Sequence, residues 1–232
     1  MDLALFDFDG TITVTDPFSG TDSFSDFVRF AVRPARMIVG WALLGPVVLG
    51  YRLGWISASK ARRAVVRIVF RGDSAPRVHQ LGVKYATEVL PLTVRPLALD
   101  RIRWHQLQGH DVVVVSAALD VYLRPWCEAL GVQCVCTELE ERDGLLTGSY
   151  RGGDCTGEEK VRRTVERFPP ERYSLIYAYG DTAEDREMLD LAHRKCYRWC
   201  EIDSRNESTS ATEPANSALH PSATGRVGGG RG

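Results

Sequence analysis

The chain has 232 residues, 44% of them apolar and 25% charged, with a formal charge of −1, the composition of a soluble globular protein. That excludes a fibre and a wholly disordered chain, and this length buries one core with room for an insertion. The charge is segregated, however: residues 27–72 hold nine Lys or Arg and no Asp or Glu, leaving 20 basic against 30 acidic residues elsewhere. Such a patch concentrates anions, whether a phosphorylated substrate, an anionic membrane surface or nucleic acid.

The first apolar run, residues 3–8, reads as a strand and already contains Asp7, which does not fit a secretory signal. With the six cysteines lying mostly in strand-like and turn-like segments, the expected compartment is the reducing cytoplasm. Residues 37–51 carry no charge and are flanked by Arg36 and Arg52. As a helix they would reach about 22 Å, short of the roughly 30 Å hydrocarbon core, and Gly45-Pro46 is expected to interrupt them. Two readings stay open for this stretch: burial inside a helical cap, or contact with the membrane interface through Trp41, Tyr51 and Trp55.

Beyond it, strand signals at 111–115, 133–137, 174–179 and 195–199 alternate with helical patterns at 97–108, 120–130, 158–168 and 184–192. The helix at 158 is expected to open with a capping box at 156–159. Alternation of this kind predicts an α/β fold, a doubly wound parallel sheet covered on both faces. From 203 to 232 almost no large apolar side chain occurs, so a disordered tail is expected.

Ligands of such sheets bind outside the carboxyl ends of the strands. The polar residues there are Asp7, Asp9, Gly10 and Thr11 after the first strand, Ser116 after the second, and Asp181 with Asp185 after the fourth; Lys160 joins them from the first turn of a helix. Asp7 and Asp9, two apart on a strand, would start on one face, where their charges need a shared proton or cation. With Asp181 added, Mg²⁺ is the natural occupant. A hydroxyl and a lysine beside three carboxylates suit a phosphoryl group, and a carboxylate near phosphorus can attack it.

Asp7-Phe8-Asp9-Gly10-Thr11, then Ser116, Lys160 and Gly180-Asp181-x3-Asp185, resemble the four ordered motifs of the haloacid dehalogenase (HAD) superfamily of phosphatases. The long run after the first motif resembles the helical cap of subfamily IB, which contains phosphoserine phosphatase and phosphatidylglycerophosphatase C. Asp143-Gly144-x-Leu146-Thr147-Gly148 and Cys155-x-Gly157-x2-Lys160 are further stretches similar to that subfamily. The resemblance implies a Rossmann-like core from 1–17 and 96–202 with a cap at 18–95. It implies Asp7 as nucleophile and Asp9 as acid and base. Mg²⁺ would be bound by Asp7, Asp181 and the Asp9 main-chain carbonyl, with Asp185 in support. The substrate phosphate would be held by Gly10, Thr11, Ser116, Ala117 and Lys160.

The phosphoserine enzymes carry a Glu shortly after the first motif to read the substrate ammonium, where this chain offers only Asp16, Asp22 and Asp26. An Arg-rich, Trp-containing, acid-free cap instead suits a phosphate with an apolar part, such as a lipid headgroup like phosphatidylglycerophosphate. The partners expected are therefore a phosphorylated small molecule or lipid headgroup, with peripheral contact to an anionic membrane through the basic cap, at the inner face. A soluble phosphate monoester and an inactive membrane-binding module are the alternatives. Nucleic acid is disfavoured, because the aromatic residues are not interleaved as stacking platforms.

Overall fold

The computed structural model describes residues 1–14 and 22–202, with the backbone alone for residues 34–42. The expected tail at 203–232, Asp16 and the 17/18 boundary lie outside the described residues.

Among the described residues, seven strands form one sheet, in the order β4-β3-β2-β1-β5-β6-β7. They are β1 (Leu3–Phe6), β2 (Asp111–Leu119), β3 (Gln133–Arg142), β4 (Leu145–Arg151), β5 (Ile176–Gly180), β6 (Arg194–Tyr197) and β7 (Cys200–Ile202). β3, β2, β1, β5 and β6 run parallel, while β4 and β7 add antiparallel edges. The doubly wound parallel sheet is thus present, with two edge strands beyond the expected ones.

β1 shows why the centre is parallel. It is buried along its whole length: Ala4 and Phe6 pack with Val112 and Val114 on one face, and Leu3 and Leu5 pack with Val113, Val115, Ile176 and Ala178 on the other. A strand apolar on both sides needs cover on both. Register pairs Phe6 with Val114 and with Tyr179, and the Phe6 and Tyr179 rings stack at 4.3 Å. The chain proceeds from β1 to β2 on one side and later reaches β5 on the other, so the carboxyl ends of β1 and β5 flank a topological switch point.

Among the described residues, five α-helices lie between β1 and β2: α1 (Ser23–Ala31), α2 (Pro34–Arg52), α3 (Ala58–Val69), α4 (Ala75–Glu88) and α5 (Pro96–Leu107). The other α-helices among the described residues are α6 (Asp120–Leu130), α7 (Glu158–Arg167) and α8 (Arg186–Asp190). α1 is capped by Asp22, whose carboxylate accepts from Ser25 N–H at 2.8 Å. α2 corrects an expectation, for it continues through Pro46 over 19 residues. Gly45 and Pro46 are exposed, so water can replace the hydrogen bond that the ring removes. No helix among the described residues is long and apolar enough to cross a membrane.

The chain leaves the sheet for α1–α4 and returns from them at one neck. Thr13 and Val94 form an antiparallel bridge, Val14 N–H donates to Thr93 O at 2.8 Å and Arg95 N–H to Ile12 O at 2.9 Å, and Arg95 Nε donates to Thr13 O. Elsewhere the inserted helices pack closely on the rest: in α4, a Cβ added to Gly82 would lie 2.0 Å from the Val121 carbonyl of α6.

Candidate active site

Strand β1 stops at Phe6, and Asp7 is the next residue, its N–H still bonded to Tyr179 O at 2.9 Å. The ladder thereby places the Asp7 side chain at the sheet's carboxyl edge, where it is 5% exposed. From the first turn of α7, Lys160 reaches the same point: Nζ donates to Asp7 Oδ1 at 2.5 Å and to Asp185 Oδ1 at 2.7 Å. Lys160 and Asp185 are both buried. The turn after β5 supplies Asp185 and Asp181. There Thr182 and Asp185 form the capping box, and Asp185 Oδ2 accepts from Thr182 N–H at 3.0 Å, Thr182 Oγ1 at 2.9 Å and Asp181 N–H at 3.2 Å. Asp185 is therefore both a helix cap and an ion-pair partner.

Oxygens of Asp7, Asp181 and Asp185 lie within 4.8 Å of one another. Among the described residues, three carboxylates face the Lys160 ammonium, with the Arg198 charge also acting on Asp181, and the imbalance shows in their proton affinities. Burial pushes the Asp7 pKa well above the ordinary carboxylate range despite Lys160, with Asp185 and Asp9 adding to the rise. Burial and then the Asp185 charge raise that of Asp181. For Asp185, burial is outweighed by Lys160 and the Thr182 hydrogen bonds, and its pKa is lowered. Burial opposes the Lys160 ammonium, but Asp7 and Asp185 together hold its pKa above the usual value. Clustered hard oxygen donors with uncompensated negative charge fit a divalent cation such as Mg²⁺.

Gly10 makes this closeness possible. Its φ is +86°, and a Cβ there would fall on the Asp181 carboxylate. The Thr11 hydroxyl donates to Asp181 Oδ1 at 3.2 Å. The fold thus unites Asp7, Gly10, Thr11, Lys160, Asp181 and Asp185 from three separate stretches of chain.

The family comparison agrees with this geometry: the haloacid dehalogenase-like hydrolase family matches the chain over residues 4–190. The chain belongs to that family. Among relatives of this HAD hydrolase, Protein CicA of Caulobacter vibrioides is 33% identical over 198 residues, covering 84% of this chain and 85% of that one. A probable phosphatase of Mycobacterium tuberculosis is 38% identical over 110 residues, 44% of this chain and 38% of that one. Among solved structures, a Bordetella pertussis protein of unknown function superposes with a TM-score of 0.69 at 24% identity, covering 84% and 89% of the two chains. A phosphoserine phosphatase in its phospho-aspartyl intermediate analogue superposes at 0.57 with 21% identity, covering 84% and 85%.

Other residues of this HAD hydrolase depart from expectation. The Asp9 carboxylate does not join Asp7 on one face. The strand has ended, Gly10 bends the chain, and Asp9 turns to α1, where Oδ1 accepts from Ser23 N–H at 2.8 Å and Oδ2 pairs with the Ser23 hydroxyl at 2.9 Å. Burial, then the nearby Asp22 charge, raise its pKa to about 6. Ser116 lies within β2, which runs on to Leu119, at the point where pairing with β3 shifts register after Val115. Its buried hydroxyl accepts from Ala118 N–H at 3.1 Å, and Ala117 beside it is partly exposed. The Gly10 N–H meets the Thr13 hydroxyl at 3.4 Å. α7 lacks the expected capping box: Gly157 precedes it without a side-chain cap, and the Thr156 hydroxyl donates to Glu184 at 2.9 Å.

Sequence reading missed Ser23, Arg62, Arg198 and Trp199. Arg62 of α3 pairs with Asp154 at 3.1 Å and approaches Glu184 at 4.0 Å, so one member of the basic stretch is already neutralised within the protein. Arg198 Nε donates to Asp181 O and Trp199 Nε1 to Thr11 O, steadying the two loops that carry the acids. Only Ser23 had a signal, a short polar residue beside a helix cap.

Proposed function

We propose that this hydrolase is a Mg²⁺-dependent phosphomonoesterase that works through an aspartyl-phosphate on Asp7. The observation that carries this reading is the buried Asp7–Lys160–Asp185 bridge with Asp181 beside it. Asp7, Asp181 and the Asp9 carbonyl would hold the ion, with Asp185 alongside. When bound, Mg²⁺ supplies positive charge opposite the phosphoryl oxygens.

An oxygen of Asp7 attacks phosphorus, the bond to the ester oxygen breaks, and Asp9 gives its proton to the departing alcohol. Asp9, now ionised, takes a proton from water as that water attacks the acyl phosphate, returning Asp7 and inorganic phosphate. Lys160, Ser116 and the backbone at Gly10, Thr11 and Ala117 would hold the phosphoryl oxygens as charge spreads over them. The names of the M. tuberculosis relative and of the phosphoserine phosphatases support the same chemistry.

For the substrate, the reading is a phospholipid-like phosphate presented at an anionic membrane surface, with α1–α4 acting as a cap over residues 18–95. Support comes from the end of α2 and the turn after it, where Leu49, Tyr51 and Leu53 are exposed and Trp55 is 80% exposed. Arg52 and Lys60 are exposed beside them. Aromatic and aliphatic side chains amid cations suit a headgroup interface, and the reading is peripheral contact from the inner, cytoplasmic face. A soluble monoester needs no such tip.

Phosphate release measured with Mg²⁺ and with EDTA tests both levels. The panel holds phosphatidylglycerophosphate in detergent micelles, lysophosphatidate, phosphoserine and an aryl phosphate. Mg²⁺-dependent turnover of the lipids far above the others is expected. Preference for a soluble ester overturns the lipid reading, and release from none overturns the phosphatase.

A further inference from the structure

Asp9 is oriented by parts of the chain remote from β1. Ser23 holds both its carboxylate oxygens, through the main-chain N–H at 2.8 Å and the hydroxyl at 2.9 Å. The same hydroxyl lies 3.0 Å from the Tyr122 hydroxyl of α6, and the Tyr85 hydroxyl of α4 donates to the Ser23 carbonyl at 3.3 Å. All three residues are buried. The rings of Tyr85 and Tyr122 pack edge to face at 5.3 Å, and Phe27 of α1 lies against both. This aromatic cluster leaves the tyrosine hydroxyls little freedom.

We infer that Ser23, held by Tyr122, is a positioning residue for proton transfer by Asp9. This rests on the role proposed for Asp9 above. A hydroxyl both donates and accepts. Toward ionised Asp9 the Ser23 hydroxyl donates, and toward protonated Asp9 it can accept while Tyr122 turns its own hydrogen elsewhere. The N–H donates in both states. One clamp thus fits both forms that an acid that later serves as base must adopt, and it spans α1, α4 and α6, so the packing of the inserted helices against the core sets the geometry of the proton donor.

The test separates positioning from mere support by the leaving group. An alkoxide needs a proton as it departs, whereas 4-nitrophenolate does not, and kcat/KM reports the step that expels it. For Ser23→Ala and for Tyr122→Phe, which removes a single oxygen, kcat/KM on glycerol phosphate should fall about 10- to 100-fold, part of what general acid catalysis contributes. On 4-nitrophenyl phosphate it should change less than about 3-fold, with Ser23→Thr recovering most of the loss. Equal losses on both esters, no loss on either, or failure of Ser23→Thr to rescue overturns the inference while the phosphatase stands. A wild-type protein that releases phosphate from neither ester nor any lipid of the panel above, or an Asp7→Asn variant that still releases it, overturns the phosphatase reading and this inference with it.

Discussion

Gly10 lies directly against Asp181: a Cβ on Gly10 would come 2.2 Å from Asp181 Oδ2. The backbone there is also left-handed, at a φ of +86°. Gly10→Ala must then displace one carboxylate of the cluster while costing the fold only about 1–2 kcal/mol of backbone strain. The expected result is a loss of turnover of 100-fold or more, on the order seen for misplaced catalytic groups. In calorimetry, Mg²⁺ is expected to raise the Tm of the wild type and to raise that of the variant less, with the metal-free Tm only a few degrees lower.

Lys160 is the only cation bonded to Asp7 and Asp185 among the described residues. Lys160→Met leaves two buried carboxylates uncompensated, at a cost of about 3–5 kcal/mol near pH 8. The deficit should narrow in acid. Without the ammonium both carboxylates are protonated more readily, so the variant's folded state binds protons that the unfolded state has already released. Falling pH therefore favours the folded variant until the unfolded carboxyls also protonate near their ordinary values. Urea unfolding at pH 8 and pH 5.5 checks this, and a deficit independent of pH would contradict it.

Arg62 joins α3 to the segment before α7 through Asp154, whose side chain is fully buried. Arg62→Met should lower stability by about 3 kcal/mol, because the buried Asp154 carboxylate loses its ion-pair partner and is left with the Thr137 hydroxyl alone among the described residues. Asp154→Asn added to it should recover more than half of that loss, and a double-mutant cycle in urea gives the coupling. Additive effects would mean that the pair does not hold α3 in place.

His105 is buried between His110, 2.8 Å from its Nδ1, and the Tyr179 hydroxyl, 2.9 Å from its Nε2. Burial, with His110 and Arg101 adding, pushes its pKa down to about 3. Between about 6.5 and 3 the unfolded state binds a proton that the folded state refuses, so stability falls as pH falls, by at most about 1.4 kcal/mol per unit. His105→Gln should flatten this part of a Tm-against-pH curve, whatever its effect on the Tm at neutral pH.

The parallel strands were legible because 3–8, 111–115 and 174–179 are continuous apolar runs, the signature of strands covered on both faces. The edges were not. β4 alternates exposed and buried positions and includes Gly148, and β7 follows a turn at Arg198 and Trp199, both with positive φ and neither a residue that announces a turn. At the site, Asp7, Lys160, Asp181 and Asp185 converge because each follows a strand or starts a helix, positions that topology sends to one edge. Asp9 went astray because strand periodicity was carried past the residue where the strand stops. Arg62 looked like surface charge because its acidic partners lie some ninety or more positions along the chain.

The hydrogen-bonded neck at Thr13, Val14, Thr93 and Arg95 joins points 82 positions apart and lets the sheet close its register as if the intervening helices were a single loop. Their length and sequence can then drift without disturbing the strands that aim Asp7. Foreign helices spliced in at this neck would meet Asp7, Lys160, Asp181 and Asp185 already aligned, and would have to rebuild the hold on Asp9 that Ser23 and Tyr85 provide.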